Sequence, residues 1–418
     1  MGHTLAEKIL AAKCDQKELS PGQFINARVD LVLASELSGV LAIEEFEKIK
    51  SARVFDPQKV VFVMDHFTPA KDIKSAEIVK QCREFAHKHS IRFYDVGRAG
   101  IQHVLLPEQG LVAPGDLIAG ADSHTCTYGF MGAFGTGVGS TDAAVAMAIG
   151  ELWMKVPESV KFVYHGKLPK WVGGKDLILR TIALIGVEGA RYQVMEFTGE
   201  TIERLGMSDR FPMANMAIEA GAKAGLFAAD ERTRAYVRTR GRDDGLYLQS
   251  DADAEYAAVH EIDVSEFEPS VAAPFIPENV KPVSELNGLE INQVVIGMCT
   301  NGNIEDLRAA AEILKGRKIH PRVRAVIIPG SQKVYLDALR EGLIEIFIEA
   351  DCSVSTPTCG PCLGGHMGVL AAGERCVSTS NRNFRGRMGH IASEVYLANP
   401  YVAAASAIAG RIISPADL

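Results

Sequence analysis

Three short apolar runs in this chain end directly in polar, chemically capable residues, and that recurrence limits the fold more than any other feature. Val60-Val61-Phe62-Val63-Met64 runs into Asp65-His66, and Leu117-Ile118-Ala119-Gly120-Ala121 runs into Asp122-Ser123-His124. Val294-Val295-Ile296-Gly297-Met298 runs into Cys299-Thr300-Asn301-Gly302. Each run reads as a buried strand, and helix-like stretches alternate with such runs over most of the length, which predicts α/β layers. Ligands gather at the carboxyl ends of strands in open α/β sheets, so the polar endings mark candidate sites. The 39 glycines suit a fold with many strand-to-helix turns. Asn303 reads as the N-cap of a helix from Ile304 to about Leu314, which sets Cys299 just ahead of a helix start. Free amides and the helix dipole favour a thiolate there.

A chain of 418 residues exceeds one ordinary domain. Prolines 269, 274, 277 and 282 cluster between Phe267 and Leu289 and read as a linker, and a weaker boundary falls near Val156-Pro157. The expected division is 1–157, 158–280 and 281–418, with a charged surface excursion over Asp230 to Asp253. Acidic and basic residues are interspersed, the net charge is −8, and no basic block stands out, which argues against nucleic acid as a partner. No apolar run is long enough to span a bilayer, and the N-terminus lacks a signal-peptide core, so no membrane partner and a cytoplasmic location are expected. Eight cysteines are too few for a disulfide scaffold in a chain of this size.

Five of those cysteines are scattered, but Cys359-Gly360-Pro361-Cys362 lets two sulfurs reach one metal, and Cys299 lies in a distant loop. Iron–sulfur clusters are held by cysteine thiolates, and three ligands would leave one iron open as a Lewis acid. A closed zinc site with Cys352 as fourth ligand competes with this reading. A redox pair is a weaker competitor, because Leu363-Gly364-Gly365 follows the pair and no βαβ start precedes it.

Asp65-His66 and Asp122-Ser123-His124 supply acid–base groups, since a histidine beside a carboxylate can pass protons near neutrality. One such pair alone would more often be structural; two at strand ends favour use. The basic loop Asn381-Arg382-Asn383-Phe384-Arg385-Gly386-Arg387 offers guanidinium groups for carboxylates or cluster sulfurs, against the ordinary fate of a solvated turn. Gly135-Thr136-Gly137-Val138-Gly139 fails the dinucleotide pattern at Ser140, with no clear strand before it, and reads as a packing turn.

With these phrases together, the chain resembles the large subunit of the aconitase-like hydro-lyases, almost from end to end. Within them it is most similar to the two-subunit group of 3-isopropylmalate dehydratase and homoaconitase. The phrases are Met64-Asp65-His66, Gly120 to Thr125, Cys299 to Gly302, Cys359 to Gly364 and Asn381 to Gly389. The resemblance implies an α/β protein with three-layer α/β/α domains of the aconitase-like fold surrounding a [4Fe–4S] cluster. It implies Cys299, Cys359 and Cys362 as ligands, with one iron not ligated by cysteine. Asp65 and His66 match the pair that handles the departing hydroxyl, and His103 matches another active-site histidine. Asp122, His124 and Glu196 match its hydrogen-bonded support. Ser123, Arg382 and Arg387 match substrate-binding positions, Arg387 holding a carboxylate, and Asn301 and Asn381 lie beside the cluster.

The activity so implied isomerises 2- and 3-isopropylmalate by dehydration and rehydration in leucine biosynthesis. Homoaconitase and 2,3-dimethylmalate dehydratase are near alternatives, and an iron-sensing RNA-binding regulator is one of another class. The single-chain aconitases carry a further swivelling domain, and no such segment follows Leu418. A small-subunit partner is therefore expected to supply that domain, the catalytic base and substrate specificity for a hydroxy-diacid. The chain departs from the family pattern at three places: Met298 replaces a serine, Ser35-Glu36 stands where a polar residue then Asp is common, and Tyr192 replaces an asparagine four residues before Glu196.

Overall fold

The computed structural model describes residues 2–14 and 16–418. The chain divides into two compact units, each drawn from separated stretches. The first comprises Met1–Val96, Leu105–His165 and Ala190–Asp263, and the second comprises Gly97–Val104, Gly166–Gly189 and Val264–Leu418. The larger sheets take residues 31–137, 159–263 and 270–397 in turn.

The first unit holds a five-stranded parallel sheet in the order Arg92–Tyr94, Val60–Val63, Leu31–Ser35, Leu117–Gly120, Phe134–Gly137. Val60–Val63 and Leu117–Gly120 are buried along their whole lengths, as continuous apolar runs demand when helices cover both faces of a parallel sheet. The helix Glu36–Ile49 buries Gly39, Ala42, Ile43 and Phe46, a spacing that keeps one stripe inward. A second, four-stranded parallel sheet follows in the order Ala224–Leu226, Val194–Thr198, Ser159–His165, Ala258–Asp263.

The glycine run expected as a packing turn begins inside a strand. Phe134–Gly137 is the edge of the five-stranded sheet, and Gly139 leads into the helix Ser140–Ile149. A Cβ on Gly135 would stand 2.1 Å from the Thr125 carbonyl oxygen. The glycine therefore lets the segment after Asp122 lie directly on the strand.

The second unit holds a seven-stranded sheet ordered Val280–Pro282, Ser270–Ala272, Glu394–Leu397, Arg375–Ser378, Gln293–Gly297, Arg324–Ile328, Ser353–Val354. Its last five strands are parallel, and Ser270–Ala272 runs antiparallel to both of its neighbours. The proline-rich stretch expected as a linker thus supplies two strands. Pro282 is tolerated because its strand is the sheet edge, where a missing N–H breaks no ladder. The helix Ile304–Leu314 starts after Asn303, whose N–H is accepted by Asp306 at 3.0 Å. The excursion over 230–253 is anchored by its own contacts: Asp230 pairs with the fully buried Arg210 at 2.5 Å. Among the described residues, no helix is long and apolar enough to cross a membrane.

Candidate active site

The predicted site residues fall into two groups, one in each unit. In the first unit the strand Leu31–Ser35 lies between Val60–Val63 and Leu117–Gly120, all parallel, so their carboxyl ends meet. Glu36, one residue beyond the central strand, is fully buried. Its carboxylate accepts the backbone N–H groups of Asp65 at 3.1 Å and His66 at 2.8 Å, and also that of Phe67. One carboxylate therefore fixes the turn that presents the Asp65-His66 pair.

His66 Nδ1 lies 2.6 Å from Asp65 Oδ1, and both residues are sealed from solvent. Burial alone would lower the His66 pKa. The Asp65 carboxylate, then Glu36 and Asp122, outweigh it and push the imidazole up to about 10. Burial raises Glu36, helped by Asp65 and opposed by His66. The donor atoms of Glu36, Asp65 and His66 lie within 4.8 Å of one another. An imidazolium among carboxylates already supplies the positive charge that this cluster needs. The neighbouring carboxylates favour the protonated form of His66, the form that has a proton to give.

Asp122 caps the 3-10 segment Ser123–Met131 by accepting the His124 N–H at 2.8 Å, with its Oδ1 3.7 Å from His124 Nδ1. Ser123 is half-buried and His124 buried. The carboxylate that meets His124 Nε2, at 3.0 Å, is Glu219, from the 3-10 turn Met216–Ala220. Four residues before it, Asn215 is buried and donates Nδ2 to Thr127 Oγ1 at 2.8 Å.

Glu196, expected in this support role, lies elsewhere. Its carboxylate accepts the hydroxyls of Ser250 at 2.8 Å and Tyr256 at 3.0 Å, and burial raises its pKa against those bonds. The spacing of an asparagine four residues ahead of a glutamate, broken at Tyr192 and Glu196, is intact at Asn215 and Glu219. That spacing is the signal by which Glu219 could have been found. Glu36 stands where the sequence departs from the family pattern, but nothing in the sequence alone shows that its carboxylate meets the Asp65-His66 turn.

In the second unit the neighbouring parallel strands Gln293–Gly297 and Arg375–Ser378 bring Cys299 and Asn381 to adjacent carboxyl ends. Gly297 holds φ +121°, and a Cβ there would stand 1.9 Å from the Ile328 carbonyl oxygen, so only glycine fits. Met298, at the departed position, is buried in the left-handed region at φ 67°, and Cys299 follows on the short helix Met298–Asn301. Cys359 and Cys362 share one 3-10 turn, closed by the Cys362 N–H to the Cys359 carbonyl at 3.2 Å.

Asn381 stands between two of these cysteines: its Nδ2 donates to Cys299 Sγ at 3.3 Å, and Cys362 Sγ lies 3.7 Å from its Oδ1. Arg387 Nη2 donates to Cys362 Sγ at 3.4 Å. Hydrogen bonds with Cys299 and Cys362, then burial, hold the Cys359 thiol well above its usual value. Such thiols ionise when a metal takes their electron pairs, so the donor set fits a metal centre with donors already aimed at its sulfurs. Cys352, the fourth ligand of the zinc reading, borders the edge strand Ser353–Val354, and burial pushes its thiol up to about 12.

His103 is buried at the start of the helix Gln102–Glu108, behind Ile101, whose N–H is accepted by Gly330 at 2.8 Å. Asn301 donates Nδ2 to Asp306 at 2.8 Å, and its Oδ1 is buried without a hydrogen-bond partner. Arg382 is half-buried beside Asn381.

The family model of the aconitases (aconitate hydratase) matches residues 7–289 and 281–410. The chain belongs to this family, whose enzymes carry a [4Fe–4S] cluster. Over 419 residues, covering all of both chains, it is 61% identical to the 3-isopropylmalate dehydratase large subunit of Thermodesulfovibrio yellowstonii and 62% identical to that of Moorella thermoacetica. That of Aquifex aeolicus is 58% identical over 423 residues, covering 100% of this chain and 98% of the relative. The crystal structure of Thermococcus kodakaraensis aconitase X (holo-form) has a similar fold, with a TM-score of 0.52, 15% identity, and 90% and 88% of the two chains covered. The fold expected from sequence, α/β layers of the aconitase type, is the one observed.

Proposed function

We propose that this chain is the cluster-bearing large subunit of a 3-isopropylmalate dehydratase, a hydro-lyase of leucine biosynthesis. The observation that carries the reading is the Asn381 side chain set between Cys299 and Cys362, with Arg387 on the second sulfur. Full-length relatives bearing that name support the substrate. Cys299, Cys359 and Cys362 would hold a [4Fe–4S] cluster, which when bound supplies an iron without a cysteine ligand to polarise a substrate hydroxyl.

The rest of the chemistry belongs to this chain's own side chains and to a partner. Dehydration removes a hydroxyl from one carbon and a proton from its neighbour, and rehydration returns them exchanged. His66, charged and backed by Asp65, delivers the proton that converts the leaving hydroxyl into water. Glu36 keeps that pair in place through the backbone. Arg387, with Arg382, orients a substrate carboxylate through paired N–H donors. His124, held by Glu219 and Asp122, and His103 complete the acid–base set, with Ser123 toward substrate. The base that removes the carbon-bound proton, together with a swivelling domain and side-chain selectivity, comes from the small subunit that the relatives' names imply. We place the chain in the cytoplasm, where a reducing environment keeps cysteines available as cluster ligands.

The test is turnover by the chain purified anaerobically with its small partner, given 2-isopropylmalate, homocitrate and 2,3-dimethylmalate in parallel. Preference for isopropylmalate is expected. Preference for either other acid would reassign the substrate, and full turnover by the large chain alone would refute the partner's role.

A further inference from the structure

Thr136 is only 1% exposed, and its Oγ1 is buried without a hydrogen-bond partner. A buried hydroxyl in that condition costs stability unless something meets it. A Cβ on Gly135 would meet the Thr125 carbonyl, and one on Gly137 would meet that of Asp122. Side chains alternate along a strand, so Thr136, between these glycines, points to the opposite face. There it borders a cavity of about 230 Å³, with Leu152, Met154 and Trp153 as an apolar wall.

Charged groups and a helix end border the same cavity. The helix Ser140–Ile149 begins at it. Its N-cap, Gly139, has no side chain to hold the first amides, which lack partners within the helix. Lys223 is half-buried, with the Gly137 carbonyl at 3.4 Å and the Tyr192 ring at 5.4 Å as neighbours of its Nζ. Burial lowers the Lys223 pKa, and the Asp142 carboxylate opposes that shift. Lys223 and Asp142 both line the cavity, yet among the described residues they form no ion pair with each other. An ammonium and a carboxylate thus border one space without closing on each other.

A simple anion there would meet the Asp142 carboxylate, and a simple cation would meet the Lys223 ammonium. A zwitterion suits both. Its carboxylate would take the Lys223 ammonium, the Thr136 hydroxyl and the helix amides, and its ammonium would take Asp142. We propose that this cavity binds an α-amino acid with an apolar side chain, which lies against Leu152, Met154 and Trp153. The volume falls below that of sites for drug-sized ligands, as suits so small a molecule.

The test is titration calorimetry of the full chain with L-leucine, with isocaproate and isoamylamine as its two halves, and with inorganic phosphate. L-Leucine is expected to bind with a Kd of about a millimolar or tighter, and the two halves and phosphate at least about tenfold more weakly. Lys223→Met and Asp142→Asn should each weaken L-leucine about tenfold or more, and Thr136→Val about threefold. If the buried variants fail to fold, Trp153→Ala at the exposed rim removes part of the apolar wall and should weaken L-leucine about fivefold. Isocaproate, isoamylamine or phosphate binding as well as L-leucine would overturn the zwitterion assignment. No heat with L-leucine at about 10 mM, or binding that every folded variant leaves unchanged, would overturn the site.

Discussion

Glu219 Oε1 stands 3.0 Å from His124 Nε2, although 95 residues separate them in sequence. Both are buried, so the pair fixes which imidazole nitrogen carries a proton and where the ring points. Glu219→Gln is expected to lower kcat about 10- to 100-fold with little change in KM, the signature of a lost orienting group. Glu196→Gln should leave kcat within about threefold of wild type. Steady-state kinetics on the two variants decide, and the opposite ranking would return the support role to Glu196.

A pH dependence follows from His66. Its pKa in the fold is raised from the usual 6.5 to about 10. The charged form is the one that the fold favours, so its contribution to stability is complete below pH 6.5 and is lost as pH rises toward about 10. Thermal unfolding from pH 6 to 10 should fall more steeply in wild type than in His66→Gln. Turnover should fall over the same alkaline range as the acid loses its proton. Parallel unfolding curves for the two proteins would count against a charged His66.

Gly297→Ala addresses the turn before Cys299. At φ +121° an L side chain is strained, and its Cβ would overlap the Ile328 carbonyl. A cost of about 3 kcal/mol or more is expected, read as a lowered thermal midpoint with weaker iron binding. A midpoint within a degree or two of wild type would show that the strand can shift to make room.

Arg387→Lys keeps the positive charge but removes the planar fork. KM for the diacid should rise about tenfold, with a smaller fall in kcat, because one donor both fixes Cys362 and steadies the group that meets the carboxylate. An unchanged KM would confine Arg387 to the sulfur contact.

The parts of this protein legible in its sequence are those whose causes are local. Val60–Val63, Leu117–Gly120 and Gln293–Gly297 announce themselves because strands buried on both faces read as unbroken apolar runs. The strand Phe134–Gly137 does not, because its two glycines lack the side chains by which strands are recognised, and prolines hide Ser270–Ala272 and Val280–Pro282 in the same way. The cysteine spacing suggested a metal site, and the family resemblance implied Cys299, Cys359 and Cys362 as its ligands. The partners of those residues were harder to read. Glu36 and Glu219 find Asp65-His66 and His124 only through folding.

A cluster held by Cys299, Cys359 and Cys362 with one iron left for substrate is tested by the Mössbauer spectrum of isotope-enriched protein, taken with iron and sulfide analysis before and after adding isopropylmalate. Iron and sulfide in equal amounts are expected, with one iron site whose signal shifts when the diacid is added. Zinc without sulfide, or iron sites that are all indifferent to the diacid, would contradict it.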